Sequence, residues 1–178
     1  MLQALITSKT RIRLLLKFFL NSSNTSYLRD LANEFGTSTN SIRLELNRFE
    51  EAGLLKAHNE GMRKLFRANT EHPLFGDINS LVRKYVGVDK IIERVIDKLG
   101  KPKAVYLSGE LAKGNDSDSL HLIIIGDDID MAYLENLVGK AQDAITRKIF
   151  YRVFTPETFQ QQAALMQEHA LLVWQHKD

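Results

Sequence analysis

The chain has 178 residues, 44% hydrophobic and 26% charged, with a formal net charge of +2. That length accommodates one large domain or two small ones, and the lack of cysteine excludes disulfides, thiolate metal sites and a cysteine nucleophile. Lys9, Arg11, Arg13 and Lys17 interrupt the apolar start, so no signal peptide or membrane span is expected and a cytoplasmic protein is. The charge is uneven. Residues 1–70 hold 11 Lys and Arg against 6 Asp and Glu, whereas residues 71–178 hold 13 against 16. A basic head on a mildly acidic body suits a polyanion-binding part fused to a different one.

The pattern from Ser8 to Leu20 is helical, with Ile12, Leu15, Leu16 and Phe19 on one side and Arg11, Arg13 and Lys17 on the other. Its apolar residues, with Leu2, Leu5 and Ile6, exceed what a three-helix domain need bury. A homodimer contact and ordinary core packing both account for them. Asn21 to Thr25 reads as a polar loop. Ser26 is a cap for a helix whose Leu28, Leu31, Ala32 and Phe35 recur at helical spacing. Gly36 supplies a sharp turn, and Ser38 caps a second helix with Ile42, Leu46 and Phe49 as its buried stripe. The opposite face carries Thr39, Asn40, Ser41, Arg43 and Asn47, short polar groups and one long cation that can approach base edges in a major groove. Gly53 ends the helix. A hairpin follows, with strands from Leu55 to His58 and from Arg63 to Ala68, a turn at Asn59-Glu60-Gly61, and Arg63, Lys64 and Arg67 on or near its tip.

Helix, turn, polar-faced helix and basic hairpin, with the phrase LNRFEEAGLL before the hairpin, resemble a winged helix-turn-helix of the bacterial arsenical-repressor-like type over roughly residues 8 to 70. The resemblance implies double-stranded DNA as partner. Thr39, Asn40, Ser41, Arg43 and Asn47 would meet base edges or adjacent phosphates, and Arg48, Arg63, Lys64 and Arg67 would meet phosphate. One half-site per chain implies a homodimer on a two-fold symmetric site.

Asn69 to Pro73 marks the expected boundary, giving domains 1–70 and 71–178. Helices follow at Leu74–Val86 and Val88–Leu99, the latter with Ile91, Ile92, Val95 and Leu99 inward. Short strands are expected at Ala104–Leu107, Leu120–Ile125 and Ile149–Phe154, with a helix from Met131 to Ile145 between the last two. Thr155 caps a helix opening at Pro156 and reaching about Gln167. Ala170 to Trp174 fits either a strand or a helix tail. The expected fold class is therefore α/β in two domains, the second with a small mixed sheet.

The segment VYLSGELAKGNDSDSLHLIIIG resembles the signature of polymerase-beta-like nucleotidyltransferases in their small bacterial form, across roughly residues 75 to 160. Gly109 matches the first glycine, Ala112-Lys113-Gly114 the small-basic-Gly step, and Leu122 to Gly126 the aliphatic strand. That family's chemistry needs two carboxylates on alternate strand residues and a third on a neighbouring strand, together holding two magnesium ions. Here Ser119 and His121 take the paired positions, Glu110 replaces the phosphate-binding serine, and Tyr151 is the expected occupant of the third. Losing metal-ion catalysis costs several kcal/mol of transition-state stabilisation. A degenerate domain is therefore expected, with no catalytic residue, metal or cofactor.

Asp116-Ser117-Asp118 is an acidic alternate pair that a shifted register could offer to metal; the plainer reading is a solvated turn, as for Asp127, Asp128 and Asp130. His169 and His176, seven apart, form no metal pattern, and Trp174 reads as packing. The favoured function is a DNA-binding transcriptional regulator whose second domain serves dimerisation, sensing of a small-molecule or nucleotide effector, or partner contact. The alternative is an active nucleotidyltransferase, or an antitoxin-like partner of one, with an auxiliary winged part.

Overall fold

A computed structural model of the protein describes residues 2–99, 102–166 and 170–176. The chain divides into two compact units, Met1–Val82 and Arg83–Asp178. In the first, Ser8 caps helix α1 (Lys9–Leu15), its hydroxyl accepting from Arg11 N at 3.2 Å. The helix continues as a π-helical turn, Leu16–Leu20. Leu14, Phe18 and Leu20 are buried along with Ile12, Leu15, Leu16 and Phe19, so this helix is enclosed on more than one side. Core packing thus takes up most of the surplus apolar residues, while Leu5 stays exposed.

Thr25–Tyr27 forms a short strand, β1, and Ser26 is buried within it. The expected cap is therefore corrected: Tyr27 precedes helix α2 (Leu28–Phe35) and makes no capping bond. Gly36, at φ +59, takes the left-handed conformation that closes the helix, and Thr37 N donates to Ala32 O at 3.0 Å. Helix α3 (Thr39–Glu51) starts at Ser38, whose hydroxyl accepts from Ser41 N at 3.2 Å. Strands β2 (Leu55–Glu60) and β3 (Arg63–Ala68) pair antiparallel, and β1 adds to β3 with Tyr27 opposite Leu65.

Helix α4 (Phe75–Val86) contributes its first part to the first unit. Its Phe75 ring lies 5.7 Å from that of Phe19, and Asn79 Nδ2 donates to Phe19 O at 2.6 Å. These contacts carry the first unit beyond the expected boundary at residue 70, and the division falls after Val82.

In the second unit, helix α5 (Val88–Ile91) continues as another π-helical turn, Ile92–Ile96, burying Ile91, Val95 and Ile96. Strands β4 (Pro102–Ser108), β5 (Ser119–Gly126), β6 (Lys148–Phe154) and β7 (Leu171–Gln175) make one mixed sheet in the order β6-β5-β4-β7. Only β5 and β6 run parallel. The Ala170–Trp174 segment therefore resolves as edge strand β7. Helix α6 (Met131–Gln142) is capped by Asp130, which accepts from Tyr133 N at 2.9 Å, so Asp130 does more than solvate a turn. Helix α7 (Pro156–Met166) follows Thr155, whose hydroxyl accepts from Thr158 N at 3.2 Å. The expected helix end at Gln167 and His169 lie outside the described residues.

One sheet face is buried through Val105, Leu107, Leu120, Leu122 and Ile124. On the other, Ala104, Ile123 and Ile125 pack against Phe159 of α7, and Tyr106 stacks on Phe159 at 5.2 Å. Toward the amino ends of β5 and β6 this second face is exposed at His121, Lys148, Phe150 and Arg152. Among the described residues no helix is long and apolar enough to cross a membrane.

Candidate nucleic-acid interface

Helix α3 buries Ile42, Leu46 and Phe49 and turns Thr39, Asn40, Arg43, Asn47 and Arg48 to solvent. Ser41 is half-buried and shares a 3.4 Å contact with the Thr10 hydroxyl, so it is less available than its neighbours. Leu44, 53% exposed, adds an apolar group to the same helix. Between α3 and the hairpin runs a groove of about 670 Å³, lined by Arg29, Arg43, Asn47, Arg63 and Lys64, with Asp30 as its one carboxylate. Arg29 was not singled out from sequence; a cation in the first turn of α2 was the available signal.

The hairpin cations differ in availability. Arg63 lies over the Tyr27 ring at 4.2 Å, and the Tyr27 hydroxyl donates to Glu60 across the tip. That bond raises the Tyr27 phenol above its ordinary value and holds Glu60 below its own. Lys64 pairs with Glu50 at 2.6 Å and sits over Phe66. Exposed pairs of this kind are worth little and are readily exchanged for phosphate. Arg67, expected on or near the tip, is corrected: it pairs with Lys56 at the open end of the hairpin, while Arg63 and Lys64 flank the tip. Arg43 and Arg67 have no ion-pair partner among the described residues.

Glu45 also escaped the sequence reading. It is buried on α3, accepting from Arg11 Nε at 2.9 Å, Ser8 Oγ at 2.9 Å and Arg48 Nη1 at 3.3 Å. Burial pushes its carboxyl up, but the bonds from Arg11 and Ser8 outweigh burial and hold it below the ordinary value. This network clamps the polar-faced helix to α1 and its cap.

In the second unit the strand register places Ser119 and His121 on alternate residues of β5, sharing a hydrogen bond of 2.9 Å. Gly109, at φ +72, occupies the turn after β4. Glu110 is held by Lys113 and by Asn115 Nδ2, each at 2.9 Å. Tyr151 is corrected. It pairs with Leu122, on the opposite face from His121, and the residue beside His121 is Phe150, stacked on it at 4.9 Å. Asp116 is taken by buried Arg147, whose Nη2 donates to it at 2.6 Å, while Nε donates to Ser117 O at 2.7 Å and Nη1 to Tyr85 O at 3.1 Å. Asp118 lies before β5 begins, its carbonyl accepting from Lys148 N. Magnesium requires hard oxygen ligands led by carboxylates. Ser119, His121 and Phe150 do not supply them, so the donor set on this face does not fit the two-metal group that the sequence resemblance implies. Among the described residues no cluster of three His, Cys, Asp or Glu could hold a metal.

No family model matches the chain, and no curated protein does. Solved structures give partial matches. The AF1382 protein of Archaeoglobus fulgidus is 20% identical over 47% of this chain and 96% of its own, with a TM-score of 0.38. Reduced HlyU from Vibrio cholerae N16961 is 15% identical over 47% of this chain and 82% of its own, at 0.36. A candidate nucleotidyltransferase from Sulfolobus solfataricus is 16% identical over 52% of this chain and 82% of its own, at 0.37. Overlaps of this size leave the functional reading to the chain's own residues.

Proposed function

We propose that the protein is a sequence-specific DNA-binding transcriptional regulator, with its first unit acting as a winged helix-turn-helix. The observation that carries this is the exposed face of α3, where Thr39, Asn40, Arg43 and Asn47 face solvent and Arg43 and Asn47 border a groove lined by further cations. Asn and Arg suit bidentate contacts to adenine and guanine edges, and the hairpin cations suit phosphate. In this reading Thr39, Asn40, Arg43 and Asn47 read sequence, while Arg29, Arg48, Arg63, Lys64 and Arg67 supply affinity. A homodimer reads a two-fold symmetric site with half-sites about one helical turn, or a multiple, apart.

The second unit is a nucleotidyltransferase-like body without the carboxylate set for metal-assisted transfer, serving dimerisation, effector sensing or partner contact. Selection of bound fragments from random duplex DNA tests the reading. Enrichment of a palindrome supports it, and recovery of fragments with no shared sequence sinks it.

A further inference from the structure

The exposed half of the second unit's sheet face carries a pattern that duplex binding leaves unused. Lys148, Phe150 and Arg152 alternate along β6, so they share one face at intervals of about 6.6 Å. Phe150 is 49% exposed, and neither cation has a carboxylate partner among the described residues. The His121 ring lies beside Phe150 at 4.9 Å and 21° from parallel. That imidazole is oriented: it shares a hydrogen bond of 2.9 Å with Ser119 Oγ, which shares one of 3.1 Å with Ser117 Oγ. Gly109 brings bare backbone to its other side, where a Cβ would rest 3.7 Å from the ring.

Because β6 is an edge strand, guarding against edge pairing accounts for Lys148 and Arg152. It does not account for a large apolar ring left half in water between them and stacked on a fixed imidazole. We infer that this face binds single-stranded nucleic acid, with an unpaired base stacking on the Phe150–His121 platform and Lys148 and Arg152 holding the flanking phosphates. Stacking selects an open strand, because duplex bases offer no free ring face, and it tolerates any base. An acidic peptide would satisfy the cations but leave the ring platform unused. The inference gives the second unit a partner of stated chemistry, and it does not depend on how the first unit meets duplex DNA.

The test is fluorescence anisotropy with the full chain against a short oligothymidine strand, an abasic strand of equal length and a duplex. The thymidine strand is expected to bind more tightly than the abasic one. Phe150→Ala weakens it roughly 5- to 100-fold, Phe150→Tyr restores it, and duplex binding is unmoved. Exchanging both cations, Lys148→Gln with Arg152→Gln, lowers the slope of log affinity against log salt by about 1.4. Should circular dichroism show Phe150→Ala misfolded, Phe150→Leu decides, since it keeps apolar bulk without a ring. The inference is overturned by equal binding of abasic and thymidine strands, or by wild-type affinity in the ring-less variant. Competition by thymidine monophosphate mole for mole with the strand also overturns it. Strand binding lost in Arg43→Ala but kept in the Phe150 variants would place it in the first unit and overturn the inference too. The duplex measurement separates these failures from failure of the regulator reading.

Discussion

Glu45 Oε2 lies 2.9 Å from Arg11 Nε, joining the helix with the exposed polar face to the first helix of the chain. The carboxylate is buried while the guanidinium is about a third exposed, so the pair holds geometry more than it adds Coulomb energy. Glu45→Gln keeps the shape but weakens the four charge-assisted bonds it accepts from Ser8, Arg11 and Arg48, and about 2 kcal/mol of stability should be lost at neutral pH. Its folded-state value is lowered, so the stability it contributes is present above the ordinary glutamate value of about 4.3 and is lost as pH falls through the lower folded value. Denaturant melts of wild type and Glu45→Gln at neutral pH and below about pH 4 should therefore converge on acidification; a gap constant with pH would refute the assignment.

Arg43 is exposed on α3 with no internal partner among the described residues, whereas Arg67 sits on the hairpin strand. Removing a base-reading arginine relaxes sequence preference, by about 1–3 kcal/mol at one base position. Removing a phosphate-binding one weakens all duplexes alike and lowers the salt slope by about 0.9. Arg43→Ala should behave in the first way and Arg67→Ala in the second, measured on the selected site and on single-base variants of it. Unchanged discrimination in Arg43→Ala would refute the assignment of α3 as the reading helix.

Amphipathic stripes made the long elements legible: Ile42, Leu46 and Phe49 on α3, and the aliphatic run of β5, are buried as their spacing requires. The cap at Ser38 and the turn at Gly36 were equally readable, because each rests on a local conformational need. Three features were not. Glu45 stands between Leu44 and Leu46 and reads as an ordinary helix glutamate, and its burial is decided by Ser8 and Arg11, over thirty residues away. The π-helical turns at Leu16–Leu20 and Ile92–Ile96 shift which apolar residues face inward, which a fixed 3.6 period does not anticipate. The third position expected at Tyr151 falls on Phe150, because strand side chains alternate and one residue of register exchanges the two faces.

At the hairpin, the Tyr27 phenol is raised chiefly by donating to Glu60, which favours its protonated form. Exchanging the acceptor, Glu60→Gln, should bring that phenol back toward its ordinary value. Ultraviolet pH titration reads this as the difference between each protein and its Tyr27→Phe counterpart. The Tyr27 component should start to ionise at lower pH in Glu60→Gln than in the wild type. Identical Tyr27 components in both backgrounds would show that the hydroxyl is not bound to Glu60 in solution.

Arg147 is buried beneath the second unit's sheet end, where it satisfies Asp116 and the carbonyls of Ser117 and Tyr85 and lies 5.0 Å over the Tyr85 ring. Replacing it by methionine fills similar volume but strands one carboxylate and two carbonyl oxygens. Asp116 is partly exposed and can recover water, which reduces the cost from that of a fully buried charge to about 3 kcal/mol. Arg147→Met should therefore lower the melting temperature clearly, while Asp116→Asn, which keeps an acceptor for the guanidinium, should cost less. The pair also separates a structural role for Asp116 from a metal-binding one. In the structural case, magnesium leaves the melting temperatures of wild type and Asp116→Asn equally unmoved. Stabilisation of the wild type alone would mean that Asp116 leaves Arg147 to take up the cation, reopening the two-carboxylate alternative.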